Sequence, residues 1–228
     1  MEDASESKNN DIENSALPVQ ADRQVRLDRW LEVISAILLS LATVASAWCA
    51  YQSARWNGAQ ALNFSAANGA RTESVRMSSA ALQYASIDIG IFVQFMAAYS
   101  DDNMELAEFL LDRFRPEMKT AVDAWIATKP RTNPDAPLSP FAMPEYTSAA
   151  QDEADRLLEI AEQKLDEARE ANQRSDNYIL LTVLFASVLF FGGVSTKFDT
   201  FRVRVALIAL AMVIFTATFI TAATYPVY

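Results

Sequence analysis

With 228 residues, 51% of them apolar and 21% charged, the chain holds enough hydrophobic material for a small domain together with membrane spans, provided that material is clustered. A formal net charge of −10 and a pI near 4.5 exclude the basic surface that nucleic-acid binding needs. The complete absence of histidine removes the commonest general base and most zinc sites, and a single cysteine, Cys49, cannot close an intramolecular disulfide.

Residues 1–29 are polar and read as a disordered cytoplasmic tail, with Arg23, Arg26 and Arg29 at its end. A first transmembrane helix is expected over 30–54, around the uncharged run 33–51 (VISAILLSLATVASAWCAY). That run suffices to cross a bilayer core, which takes roughly 20 helical residues. Ala45-Ser46-Ala47 is similar to a signal-peptidase site, so cleavage after Ala47 is the competing reading. The long amino-terminal region and the bulky Trp48 favour a retained span.

Residues 55–177 read as an extracytoplasmic antiparallel helical bundle continuous with the spans. No proline falls between 19 and 115, so nothing forces the first helix to stop where the membrane ends. Ala47, Gly58, Gly69 and Ala80 recur every 11 residues, which is close to three helical turns. They form a small-residue row suited to close helix packing or self-association, against the plainer reading of an alanine-rich helix. Tyr84, Ile87, Ile91, Phe95 and Ala98 mark the central helix of the bundle. Asp88 is the one charge in that apolar stretch and the best candidate for a carboxylate of perturbed acidity. A fourth span over 80–99 competes, but Asp88 at mid-membrane would cost about 2.5–3.5 kcal/mol.

Asp101 and Asp102 suggest a helix cap. The apolar rhythm then runs from Leu106 to Trp125, with Pro116 expected to kink that helix. The loop 129–144 is proline-rich and excludes regular helix. Ala154, Leu158, Ala161, Leu165 and Ala168 then alternate at spacings of four and three, a coiled-coil seam. Acidic residues on this helix interleave with Arg156, Lys164 and Arg169, as on a solvated face rather than a metal site. Between Tyr51 and Tyr178 there are 12 basic and 20 acidic residues, a net charge of −8.

A second transmembrane helix is expected over 178–194, a short basic cytoplasmic loop over 195–204 and a third transmembrane helix over 205–225. Lys197, Arg202 and Arg204 in the loop match the arginines before the first span, and the positive-inside rule places both on the cytoplasmic side. Trp30, Trp48, Tyr51, Trp56, Tyr178, Tyr225 and Tyr228 lie where interfacial aromatics belong. The fold class is therefore all-α, an integral membrane protein with three transmembrane helices.

LATVASAWCAYQSARWNGAQA at the end of the first span and FFGGVSTKFDTFRVR at the short loop carry a resemblance over roughly residues 30–225. The layout resembles a family of uncharacterised bacterial inner-membrane proteins with one N-terminal span, a helical domain and two C-terminal spans. The resemblance implies topology and a bacterial cytoplasmic (inner) membrane location, and no chemistry.

No phosphate loop, HExxH, CxxC or nucleophile elbow is present in the sequence. No catalytic, cofactor-binding or metal residues are therefore expected, and no enzyme. The expected role is a non-enzymatic membrane interaction protein: a scaffold, assembly factor or accessory subunit. Its partners would be the lipid bilayer and another membrane protein or itself, with no nucleic acid and no small-molecule substrate. A signal-coupling or sensor module and a channel or transporter subunit are the alternatives.

Overall fold

The computed structural model describes the backbone of residues 3–198 and 200–228, and the side chains of residues 26, 28–198 and 200–228. Five α-helices follow one another: α1 (Asp3–Ser100), α2 (Met104–Leu111), α3 (Pro116–Ala127), α4 (Ala149–Ser195) and α5 (Phe201–Thr224). A short 3-10 turn occupies Pro140–Ala142, and no strand occurs among the described residues. Asp28–Ser100, Ala149–Ser195 and Phe201–Thr224 each contain a segment long and apolar enough to cross a membrane. The molecule is an all-α membrane protein. The tail expected at 1–29 lies almost wholly outside the fully described residues.

Two compact units divide the chain: Met1–Ala61 with Ala168–Tyr228, and Leu62–Glu167. In the first unit α1 and α4 run antiparallel, since Ser35 hydrogen-bonds Gly192 O at 3.4 Å while Ser53 meets Ser175 at 3.0 Å. Their core joins Leu38, Ala42 and Cys49 of α1 to Tyr178, Leu181, Phe185 and Val188 of α4, closed by Ala211 of α5. Other apolar side chains of these segments, among them Val44, Val183 and Val213, face outward, as lipid-facing residues must. At one end Arg204 reaches Asp28 at 3.3 Å and Glu32 at 3.9 Å. Glu32 therefore has a named partner at the start of the first span.

The second unit holds the end of α1, helices α2 and α3, the proline loop and the start of α4. Phe95 and Ala98 of α1, Ala107 of α2, Phe114, and Met118 and Val122 of α3 form its core. The break after α1 differs in detail from the sequence expectation. Asn103 is the cap residue of α2, its side chain accepting the Leu106 N–H at 3.2 Å, while Asp102 turns the chain at a positive φ of 53°. Pro116 does not kink a helix: it opens α3 at the first turn, where its missing N–H costs nothing and its fixed φ suits the helix. Two short helices, rather than one bent helix, cover the α1 core face.

Buried positions of α1 in this unit are Ala67, Ser74, Ala81, Asp88 and Phe95, each seven residues from the next, followed by Ala98 one turn further on. Ala154 and Ala161 are the buried pair on α4, also seven apart. The Ser74 hydroxyl donates directly to the Ala154 carbonyl at 2.7 Å. A side chain as short as serine reaches a neighbouring helix backbone only where the two helices approach closely, and the small residues of both rows permit that approach. Leu158, expected in the seam, stays 40% exposed, so the contact is carried by the alanines.

Candidate functional site

Asp88 sits on the innermost row of α1 with 0% of its surface exposed. A carboxylate there needs partners, and three groups converge on it. Arg115 donates Nε to Oδ1 at 3.2 Å and Nη2 to Oδ2 at 2.6 Å, the two-pronged geometry that guanidinium and carboxylate share. The Tyr146 hydroxyl donates to Oδ2 at 3.1 Å. Arg115 also lies 3.6 Å from Glu117 and over the Tyr84 ring at 4.8 Å. Its hydrogen bond to Asp88 pushes its pKa up, and burial followed by the Asp88 charge does the same for the Tyr146 phenol.

The chain brings these groups together from three places. Arg115 is the residue before α3, and Tyr146 lies at the end of the proline loop, braced edge-on against Phe141. One carboxylate on α1 thus ties down both the α2–α3 turn and the loop. All of its described partners hold it in place, and the cluster acts as a clamp. Position along a helix revealed Asp88 in the sequence; its partners, 27 and 58 residues away, had no local signal.

The 11-residue row fares differently. Ala47, Gly58 and Gly69 are exposed, Ala80 is half-buried, and a Cβ added at Gly58 or Gly69 would meet nothing within 4 Å. Nothing among the described residues packs against either glycine. Among the described residues, the close helix contact of α1 is made by the seven-residue row just described, and the two glycines have open space around them.

A second outward row on α1 was not singled out in the sequence. Val75, Leu82, Ile89 and Val93 are 62%, 68%, 48% and 61% exposed, interleaved with Ser79 and Ser86. Each serine turns its hydroxyl back onto its own helix, to Val75 O at 2.8 Å and Leu82 O at 2.9 Å. The polar groups are spent internally, so the stripe presents as apolar. Its spacings alternate between three and four residues, the rhythm of a coiled-coil seam.

In the first unit, polar residues cluster where α1, α4 and the C-terminal segment meet. Buried Gln52 accepts the Tyr228 N–H at 3.0 Å, and Ser53 and Ser175 bond each other at 3.0 Å. Tyr228 packs edge-on against Trp56 at 5.1 Å, with Arg55 over its ring and Arg174 over the indole. The Trp56 Nε1 proton is buried without a partner among the described residues. These contacts fix the middle of α1, the middle of α4 and the segment after α5 against one another within the unit.

The paired charges on α4, Glu153 with Arg156 at 2.6 Å and Lys164 with Glu167 at 2.7 Å, lie on the exposed face. Among the described residues no cluster of metal-ligating side chains forms. The fold and these surfaces define a class, an all-α membrane protein with three span-length helices and a helical unit between the first and second. Comparison with protein-family models, curated proteins and solved structures found no match to the chain.

Proposed function

We propose that the chain is a non-enzymatic membrane interaction protein, a scaffold, assembly factor or accessory subunit of the bacterial inner membrane. Unit Leu62–Glu167 faces away from the cytoplasm, while the N-terminus and the basic loop 195–204 lie inside. Lys197, Arg202 and Arg204 in a short loop, with Arg26 and Arg29 before the first span, support this orientation. So does the resemblance to inner-membrane proteins of the same layout.

The observation that carries the interaction role is the exposed apolar row Val75, Leu82, Ile89 and Val93. Isolated exposed leucines are ordinary, but an aligned apolar stripe with its serines internally satisfied is a surface that a second helix covers. Co-purification from native membranes in mild detergent tests it. A stoichiometric helical partner, or a second copy, should be retained by the natural protein and lost by the double substitution Leu82→Glu/Ile89→Glu. The melting temperature should be unchanged, because neither side chain belongs to the core. Retention of every partner by that variant would reject the role assigned to the row. Orientation is tested separately, by reporters active only outside the cytoplasm: activity after Asn133 and Tyr228 and silence after Lys197 are expected.

A coupling role is the second reading. It is favoured by α1 and α4, each one unbroken helix with residues in both units, since such helices transmit a shift along their axes.

A further inference from the structure

We propose that the cavity at the end of α3 is a binding site for a small aryl carboxylate. The cavity measures about 260 Å³ and is walled by Phe95, Tyr99 and Trp125, with Met96 and Ile126 beside them. That volume takes one or two fused rings, and aromatic walls favour a flat apolar body. The rim carries Lys129 and Arg131 and no acid.

Those two cations are among four in this unit without a carboxylate partner among the described residues, Arg71 and Arg113 being the others. Elsewhere in the same unit Arg76, Arg115, Lys119, Arg156 and Lys164 all pair with carboxylates. Among the described residues, neither Lys129 nor Arg131 has such a partner, and Arg131 lies over the Tyr99 ring at 5.5 Å. A carboxylate entering above the rings would meet both.

The rim also includes a backbone position that glycine ordinarily fills. Lys129 holds φ at 53°, the left-handed position after a helix end. A lysine there strains the backbone, as Asp102 does at the same φ after α1. The loop is nonetheless fixed, because the Lys129 carbonyl accepts the N–H groups of Thr132 and Asn133, each at 2.9 Å.

The end of a helix is ordinarily negative, which would disfavour an anion. Here three of the carbonyls at the helix end are already occupied. Trp125 O accepts the Thr128 hydroxyl at 2.6 Å, Ile126 O accepts the Lys129 N–H at 3.0 Å, and Thr128 O accepts Asn133 Nδ2 at 3.1 Å. The lysine and arginine therefore set the sign of the rim.

The test uses the full chain in lipid nanodiscs with indole-3-acetate as probe and indole-3-ethanol as its neutral counterpart, read by ligand-observed NMR titration against empty discs. Saturable binding of the acid is expected, with the alcohol about tenfold weaker, the factor that a hydrogen bond to a charged group supplies. Arg131→Gln should weaken the acid several-fold. Lys129→Gly should weaken it likewise while raising the melting temperature, because glycine relieves the left-handed backbone. Equal binding of acid and alcohol, unsaturable uptake, or natural affinity in both rim variants would overturn the inference. A Lys129→Gly protein that melts lower and binds normally would assign the lysine to the fold and overturn it too.

Discussion

Replacing Arg115 with methionine isolates the contribution of the Asp88 clamp. Methionine keeps the length of the side chain and removes the charge and both donors, leaving a fully buried carboxylate with only the Tyr146 hydroxyl. Removing one partner of a buried ion pair costs about 3–5 kcal/mol, chiefly because the other charge is left uncompensated. The Arg115 side chain keeps 26% of its surface in solvent, so water reaches the edge of the pair and the cost falls at about 3 kcal/mol, the lower end of that range. In a chain of this size each kcal/mol moves the melting temperature by about 2–4 °C. Arg115→Met should therefore melt about 6–12 °C below the natural protein, read by circular dichroism in nanodiscs.

The double variant Asp88→Leu/Arg115→Met removes the charge along with its partner. Buried pairs replaced by apolar residues of similar size are often neutral or better, so the double variant should regain most of that loss. Additive losses, or an Arg115→Met protein within about 3 °C of the natural one, would refute the clamp.

Tyr146 and four glycines give further tests. Burial and the Asp88 charge raise the Tyr146 pKa above its unfolded value, so the folded state holds that proton more tightly. Its contribution is complete below about pH 10 and is lost as pH rises through the folded value; Tyr146→Phe should lack that alkaline loss in melting curves taken from neutral to alkaline pH. Gly58→Ala and Gly69→Ala add methyl groups into open space and should each stabilise by up to about 1 kcal/mol, whereas a loss of oligomer size by light scattering would place the glycines between molecules. In the first unit a Cβ at Gly192 would sit 2.9 Å from Leu39 Cδ2 while one at Gly193 meets nothing, so Gly192→Val should cost about 1–3 kcal/mol in melting experiments and Gly193→Ala almost nothing.

The architecture was legible because the physics that sets it is local. Long uncharged runs, the positions of eight prolines and the basic short loop determine where helices lie and which of them suit a bilayer. Proline at 116 was legible as an interruption but not as a helix start. That distinction rests on the backbone of Arg115, which is extended at φ −60° and ψ 152° and so begins a new helix rather than bending an old one. The clamp around Asp88 was half legible. Burial of a lone acid in an apolar stretch demands a partner, yet which of the unit's cations supplies it depends on how a turn 27 residues away folds back.

Periodicity explains the remaining difference. The 11-residue row and the buried seven-residue row both consist of small residues, and composition alone does not separate them. Buried positions that recur every seven residues follow 3.5 residues per turn, the period at which two helices stay in contact along their length. In that frame a step of 11 residues advances by roughly 50° around the helix, so Ala47, Gly58, Gly69 and Ala80 wind away from any single partner. Ala67, Ser74 and Ala81 do not, and the Ser74 hydroxyl bonded to the Ala154 carbonyl marks where the backbones meet. The same argument picks out Val75, Leu82 and Ile89: they share the seven-residue step of the buried row, displaced by one residue from Ser74, Ala81 and Asp88. Helix α1 thus carries two seams of one period, the first filled by its own chain and the second open.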